Sequence, residues 1–227
     1  MRTDIRTYSN DEVLVRERRL HIMECAIKLF LNKGYKGTTT REIAKACGMS
    51  EGSLYRYIGS KDDILHLICM ARAHGAKILE NFLSSLDNVS TPETLKACIN
   101  ACFMWADESR YYNLFFNREI RHFSPEDRRI LLEDQVAIVR FFEKLLIKGV
   151  KEGEFQIESP LLVAHDILMK IHDWGLRRWF LRQYFTLEEY ARLQTDLILK
   201  AVKPDAVEAT AENEEKRGTR RPQCKIT

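Results

Sequence analysis

Residues 38–65, TTTREIAKACGMSEGSLYRYIGSKDDIL, decide how the rest of the chain is read. Thr39 followed by Glu42 is a capping-box spacing and predicts a helix beginning at Thr39 or Thr40. Ile43, Ala44 and Cys47 supply a short apolar face, and Gly48, tolerant of positive φ, ends the helix. Ser50 is a good N-cap for a second helix, expected over Glu51 to Tyr57, with Leu54 and Ile58 turned to the core. Ser60 caps a third, with Asp62 and Asp63 in its first turn, where the helix dipole favours acids. Two helices joined by a short Gly-containing turn form the helix-turn-helix pattern.

In such a unit the second helix enters the major groove and its first residues meet base edges. Here those residues are Glu51, Gly52 and Ser53, a small opening that lets the backbone come close. Thr40, Arg41, Tyr55, Tyr57 and Lys61 carry donors suited to phosphate oxygens. Thr39 and Ser50, which begin the two helices, complete the DNA-facing set.

The pattern resembles the DNA-binding domain of the TetR/AcrR family of bacterial transcriptional regulators. The likeness runs over roughly residues 16–68. It comprises an amphipathic first helix (RRLHIMECAIKLFLNKGY), then GTTTREIAKACGMS, then EGSLYRYIGSKDDIL. It implies phosphate-anchoring roles for Thr40, Tyr55, Tyr57 and Lys61, and base-facing positions for Arg41, Glu51, Gly52 and Ser53. Where family members often carry Gln, Arg or Lys, this chain has Glu51. A carboxylate only accepts, so a cytosine amino group is its natural base partner, unless it points away from the DNA.

Charge agrees with this placement. Residues 16–61 hold ten basic against four acidic side chains, whereas residues 62–203 hold 19 against 21. Positive charge sits where phosphates would be. The first 15 residues are charged and lack an apolar signal-peptide core. The longest run free of Asp, Glu, Lys and Arg is the ten residues from Ala97 to Ala106, far short of the roughly 20 needed to cross a bilayer. A cytoplasmic protein with no membrane partner is expected, its six cysteines reduced and none in a Cys-x-x-Cys pair. Cys98 and Cys102, one helical turn apart, read as small core residues before they read as a redox or metal pair.

The fold class expected is all-α. An N-terminal three-helix helix-turn-helix DNA-binding domain occupies residues 1–60, ordered from about 11. A helical ligand-binding and dimerisation domain follows over 61–203, and 204–227 form a disordered tail whose acidic block precedes a basic one. Within the second domain one long helix is expected from Lys61 to about Leu86. Others run from Thr91 to Glu108, Tyr111 to Arg121, Pro125 to about Lys151, Ser159 to Arg182 and Thr186 to Val202. Only Phe155 to Ile157 hints at a strand. The 159–182 segment is apolar around much of its girth and needs cover on two sides, and the 186–202 segment carries one apolar stripe. In the resembling family such a terminal pair forms a four-helix bundle with its twofold mate, so a homodimer is expected.

Aromatic residues crowd the middle of the chain, with basic residues among them, as in a mostly apolar pocket with a few convergent polar groups. The candidate effector-binding set is Phe103, Trp105, Tyr111, Phe115, Phe116, Arg118, Phe141, His172, Trp174 and Arg178. An ordinary aromatic core would give a similar pattern. NLFFNREIR and WGLRRWF look most like family members that respond to acyl-CoA thioesters, with an aromatic acid or hydrophobic drug as alternatives. Arg side chains would suit the phosphates. His165, Asp166, His172 and Asp173 repeat at seven residues, but a metal site needs ligands converging from elsewhere. No metal, cofactor or catalytic residue is expected, and no phosphate loop or nucleophile–base constellation is present. These features predict a repressor that binds a palindromic double-stranded operator as a dimer and leaves it when a small hydrophobic effector binds. The alternative is a helical small-molecule-binding or enzymatic protein with a vestigial DNA-binding head.

Overall fold

The protein was described as a computed structural model, at Ile5 and over residues 11–86 and 89–203. The expected tail at 204–227 lies outside the described residues. Among the described residues ten α-helices follow one another: α1 Glu12–Lys33, α2 Thr40–Ala46, α3 Glu51–Leu54, α4 Lys61–Arg72, α5 Gly75–Leu83, α6 Thr91–Glu108, α7 Arg110–Glu119, α8 Pro125–Lys151, α9 Pro160–Leu181 and α10 Leu187–Val202. A 3-10 turn, Ile120–His122, joins α7 to α8. Among the described residues there is no strand. The Phe155 to Ile157 segment instead docks on the end of α10, where the Gln156 N–H donates to the Val202 carbonyl at 2.9 Å.

The helix starts follow local chemistry. Thr39 with Glu42, Ser60 with Asp63 and Thr186 with Glu189 each form a complete capping box. Ser50, Ser124 and Ser159 cap α3, α8 and α9, and Pro stands in the first turn of α6, α8 and α9. Gly48 takes the positive φ the turn demands.

Three expected elements differ. The helix expected from Lys61 to Leu86 is two, α4 and α5, broken at Ala73 and His74. A side chain from another helix causes the break. Asp134 of α8 accepts from the Gly75 and Ala76 N–H groups at 3.2 Å each, which caps α5 where His74 offers no side-chain cap. The recognition helix expected to reach Tyr57 is α-helical only to Leu54. Its last turn tightens, with the Tyr57 N–H donating to Leu54, while Arg19 Nε donates to the Tyr57 carbonyl. The Tyr111 to Arg121 helix begins at Arg110 and narrows into the 3-10 turn at Ile120.

Two buried clusters result. The first joins Ile22, Phe30, Ile43, Leu54 and Ile58 to Ile64, Leu65 and Ile68 of α4, and also takes in Phe115, Phe123 and Leu131. The second is built from α5, α6, α8, α9 and α10 around Phe103, Phe142, Leu146, Ile167 and Trp174. The first half of α4 therefore packs with the N-terminal unit. Phe30 stacks on Phe115 at 5.4 Å within the first cluster and so fastens α7 to α1.

α8 and the following turn meet at one point of very close approach. A Cβ on Gly149 would stand 2.1 Å from Phe155 Cδ2, and Phe155 is itself buried. Gly149→Ala is therefore expected to destabilise the protein by about 1–3 kcal/mol through overpacking, read as a lowered urea midpoint with unchanged slope.

Candidate nucleic-acid interface and interior cavity

The residues expected to face DNA lie together on α2, α3 and the flanking turns, and several are already tied to one another. The Tyr55 hydroxyl donates to Thr40 Oγ1 at 3.2 Å, and the Thr40 hydroxyl donates to Glu51 Oε1 at 2.7 Å. The Glu51 carboxylate is thus turned back onto α2, where it locks the two helices of the motif. Ser50 Oγ accepts from the Ser53 N–H at 3.1 Å and lies 2.9 Å from Ser53 Oγ. Thr39 is spent on its capping box. Arg41 and Tyr55 are exposed, and Tyr57 is half-buried.

Lys61 has a more structural setting than its sequence position suggested. Its Nζ donates to the Tyr35 and Thr38 carbonyls at 2.9 Å each and lies 4.2 Å from the Tyr35 ring centroid. It closes the α1–α2 turn onto the start of α4, with one of its three donors left over. Gly52 is exposed, and a Cβ there would meet nothing closer than Ser50 Oγ at 4.0 Å. The fold itself does not require glycine at 52. A requirement for it would have to come from outside the chain.

The C-terminal unit encloses a cavity of about 240 Å³ between α4, α5, α6, α7, α8 and α9. Its apolar wall is Ile78, Leu79, Ile138, Leu168 and Ile171, and its polar groups are Arg72, Glu108, Ser109, Asn113 and His172. Arg72 Nε donates to Asn113 Oδ1 at 3.2 Å. Burial lowers the Arg72 pKa, opposed by the nearby Asp134 and Cys102. Burial, and then the Arg72 charge, push His172 down to about 4, so its imidazole is neutral at physiological pH.

Of the ten candidate effector residues, Trp105 and His172 line this cavity. Phe103 and Phe141 sit in the second cluster, Phe103 edge-on to Tyr190. Phe115 and Phe116 belong with the first cluster. Arg118 reaches the Leu31 carbonyl, and Tyr111 is exposed beside Arg110. Trp174 Nε1 and Arg178 Nε both donate to Asp107 Oδ1 at 2.9 Å, at the mouth of a separate groove near Tyr184 and Phe185. The sequence reading passed over Arg72 and Asn113. The one hint was the Ala73-His74-Gly75 stretch, where a helix interruption could have been anticipated.

The seven-residue repeat on α9 does not gather into a ligand set. His165 and Asp166 are exposed, His172 faces the cavity, and Asp173 pairs with Arg177 at 2.9 Å. Among the described residues, three donors meet instead at His21, Cys25 and Cys47. Their signal was the i, i+4 spacing of His21 and Cys25 on α1.

Two family models match the two halves of the chain. The family model described as bacterial regulatory proteins, tetR family, matches residues 22–68, and a tetracyclin repressor-like C-terminal domain matches residues 88–202. The chain is 29% identical over 192 residues to the HTH-type transcriptional regulator HbdR of Aromatoleum sp. (strain CIB), covering 82% of this chain and 81% of that one. It superposes on a bacterial regulatory protein in the tetR family from Rhodococcus RHA1 with a TM-score of 0.70 at 25% identity, over 82% and 97% of the two chains. The fold is also that of AibR, solved in complex with isovaleryl coenzyme A and operator DNA, with a TM-score of 0.64 at 24% identity over 79% and 97%. No helix among the described residues is long and apolar enough to cross a membrane. The protein belongs to the TetR family of bacterial regulatory proteins.

Proposed function

We propose that the protein is a dimeric repressor whose two recognition helices occupy adjacent major grooves of a palindromic operator and whose interior cavity binds the effector that releases it. The observation that carries this reading is the position of α4. Its first turn is bound into the helix-turn-helix unit through Lys61 and the Ser60–Asp63 capping box, and its last residue, Arg72, lines the cavity. One twelve-residue rod therefore touches both sites.

On the operator, Arg41 and Tyr57 take phosphates, with the spare Lys61 donor beside them, and Tyr55 joins them by turning its hydroxyl proton from Thr40 to a phosphate. Gly52 and Ser53 present the backbone and a hydroxyl to base edges. Glu51, bridged to Thr40, keeps lone pairs for a cytosine amino group. The two-fold mate is held by apolar side chains that this chain leaves uncovered. Leu162, Met169 and Leu176 recur every seven residues along one face of α9, and Leu193 and Leu197 lie one turn apart on α10. Two recognition helices would then stand roughly 34–36 Å apart, one turn of B-DNA.

For the effector, the cavity offers aliphatic walls and a single cationic group. That combination fits an acyl chain inside and an anionic or carbonyl-bearing head near Arg72. An acyl-CoA meets it with its chain buried and its nucleotide outside, in line with the ligand of AibR. Ligand acts only through differential affinity for the operator-competent and incompetent poses of α4. A regulator of this kind works in the cytoplasm and needs no catalytic turnover.

Selection of duplexes from a random library on the full chain is expected to return a palindrome, and one member of an acyl-CoA panel to abolish its retention. No enriched motif together with acyl-CoA turnover would instead mark an enzyme with a vestigial head. Gly52→Ala should leave the melting temperature unchanged or slightly raised, yet weaken duplex binding by about tenfold, the effect of about 1.4 kcal/mol of lost contact. Arg41→Ala should lower the slope of log affinity against log salt by about one. In the cavity, Arg72→Met should weaken the acyl-CoA effect about 10–100-fold, as expected for loss of a charged hydrogen bond. An unchanged effector response in a folded Arg72→Met protein would remove Arg72 from the site.

A further inference from the structure

The N-terminal unit holds a cluster of chemistry that duplex recognition does not use. His21 and Cys25 stand one turn apart on α1, and Cys47 faces them from the C-cap of α2. One donor atom from each, the His21 ring nitrogen and the two Sγ atoms, lies within 4.8 Å of the others. His21 Nε2 is 3.9 Å from Cys25 Sγ and 3.3 Å from the Cys47 carbonyl oxygen, and Cys25 Sγ is 3.6 Å from the Ala46 carbonyl. Cys47 is buried, Cys25 half-buried and His21 exposed, so the cluster has a closed floor and an entry path from solvent.

We propose that His21 Nε2, Cys25 Sγ and Cys47 Sγ form a binding site for a thiophilic d10 metal ion, Zn²⁺ or Cu⁺. The donor set makes the choice of ion class. Mg²⁺ and Ca²⁺ require oxygen ligands, and no carboxylate belongs to this group. Two thiolates and an imidazole select zinc or cuprous copper. The spacing fits as well. With Zn–S of about 2.3 Å and Zn–N of about 2.0 Å, donors in a tetrahedral site stand about 3.6–3.8 Å apart. The 3.9 Å His21–Cys25 separation is already close to that, and small side-chain rotations bring the third donor in.

Binding is a proton-for-metal exchange. Each thiol loses its proton to solvent as its sulfur lone pair bonds the ion, with no change of oxidation state. On Zn²⁺ a fourth position remains for water or a nearby carbonyl, while Cu⁺ is satisfied by the three side chains. Either ion fastens α1 to the end of α2, immediately before the turn that aims α3. The metal thereby stiffens the part of the head that meets DNA.

The test uses the full chain, reduced with a non-coordinating phosphine. Co²⁺ serves as a spectroscopic stand-in, and Zn²⁺ and Cu⁺ are each titrated against a chromophoric chelator. One equivalent of Co²⁺ is expected to give thiolate-to-metal charge-transfer bands that the preferred ion then bleaches. Whichever of Zn²⁺ and Cu⁺ bleaches them at the lower concentration identifies the ion. At a hundredfold excess over Kd that ion should raise the melting temperature by roughly 5–10 °C. His21→Ala, at an exposed position, should weaken binding by more than the roughly 10–100-fold that outer-shell partners cost. Cys25→Ser should remove most of the charge-transfer intensity. Absence of those bands in the reduced protein overturns the site. So does binding of unchanged affinity in both His21→Ala and Cys25→Ser, which would put the metal elsewhere in the chain.

Discussion

Two hydrogen bonds from the α5 backbone to the Asp134 carboxylate set the geometry on which the C-terminal unit depends. In an uninterrupted helix the Gly75 and Ala76 N–H groups would find partners one turn back. Here they are supplied from α8, which relieves the obligation to continue the helix and allows the chain to turn at Ala73 and His74. Gly75 permits the approach, because a Cβ there would stand 2.9 Å from Ile138 Cδ1. The turn directs Arg72 inward to Asn113 and opens the space that Ile78, Leu79, Leu168 and His172 enclose. Break, buried cation and cavity are thus consequences of one carboxylate.

That carboxylate also explains where sequence reading stopped. Helix starts were legible because caps are local. Thr39, Ser50, Ser60, Ser124, Ser159 and Thr186 each bond a backbone group within three residues, so their signals survive without knowledge of the fold. Asp134 lies 59 residues from the N–H it caps, and nothing nearby announces it. The same holds for the aromatic run. Phe103, Trp105, Phe115 and Phe116 are close in sequence, but the chain turns between α6 and α7 and delivers them to two different clusters. Composition could show that aromatic surface would be buried there. It could not show on which side of the α6–α7 corner each ring falls, and so the cavity wall is mostly aliphatic.

α8 contributes Leu131 to the first cluster and Ile138 to the second, and α4 is fastened to its first turn. His66 Nδ1 lies 2.7 Å from Asp127 Oδ1, and the Ser124 hydroxyl donates to the other carboxylate oxygen at 2.8 Å. Cys69 donates to the Asp127 carbonyl, and the Phe30–Phe115 stack fastens α1 to α7. These contacts make α4 unable to move alone. A displacement at Arg72 must either carry the head with it or break a buried hydrogen-bonded group, and leaving such a group unpaired costs about 1–3 kcal/mol. Carrying the head is the cheaper course. Coupling of the usual allosteric size, about 1–3 kcal/mol, is within what such an arrangement transmits.

The surface proposed to face DNA is preorganised by the same economy. Glu51, Thr40 and Tyr55 hold one another, Ser50 and Ser53 pair, and Lys61 is fixed by two carbonyls before any duplex arrives. Ordering such side chains at the moment of binding would cost about 0.5–1.5 kcal/mol each, so much of that cost is met during folding. Among the exposed groups, Arg41 and the Gly52 backbone are then of two kinds. Charge draws in any phosphate backbone, whereas a position without a side chain discriminates only by how closely a groove can approach it. In the proposed docking, affinity and selectivity therefore rest on different atoms, and the helix lock between α2 and α3 keeps the second from drifting when the first engages.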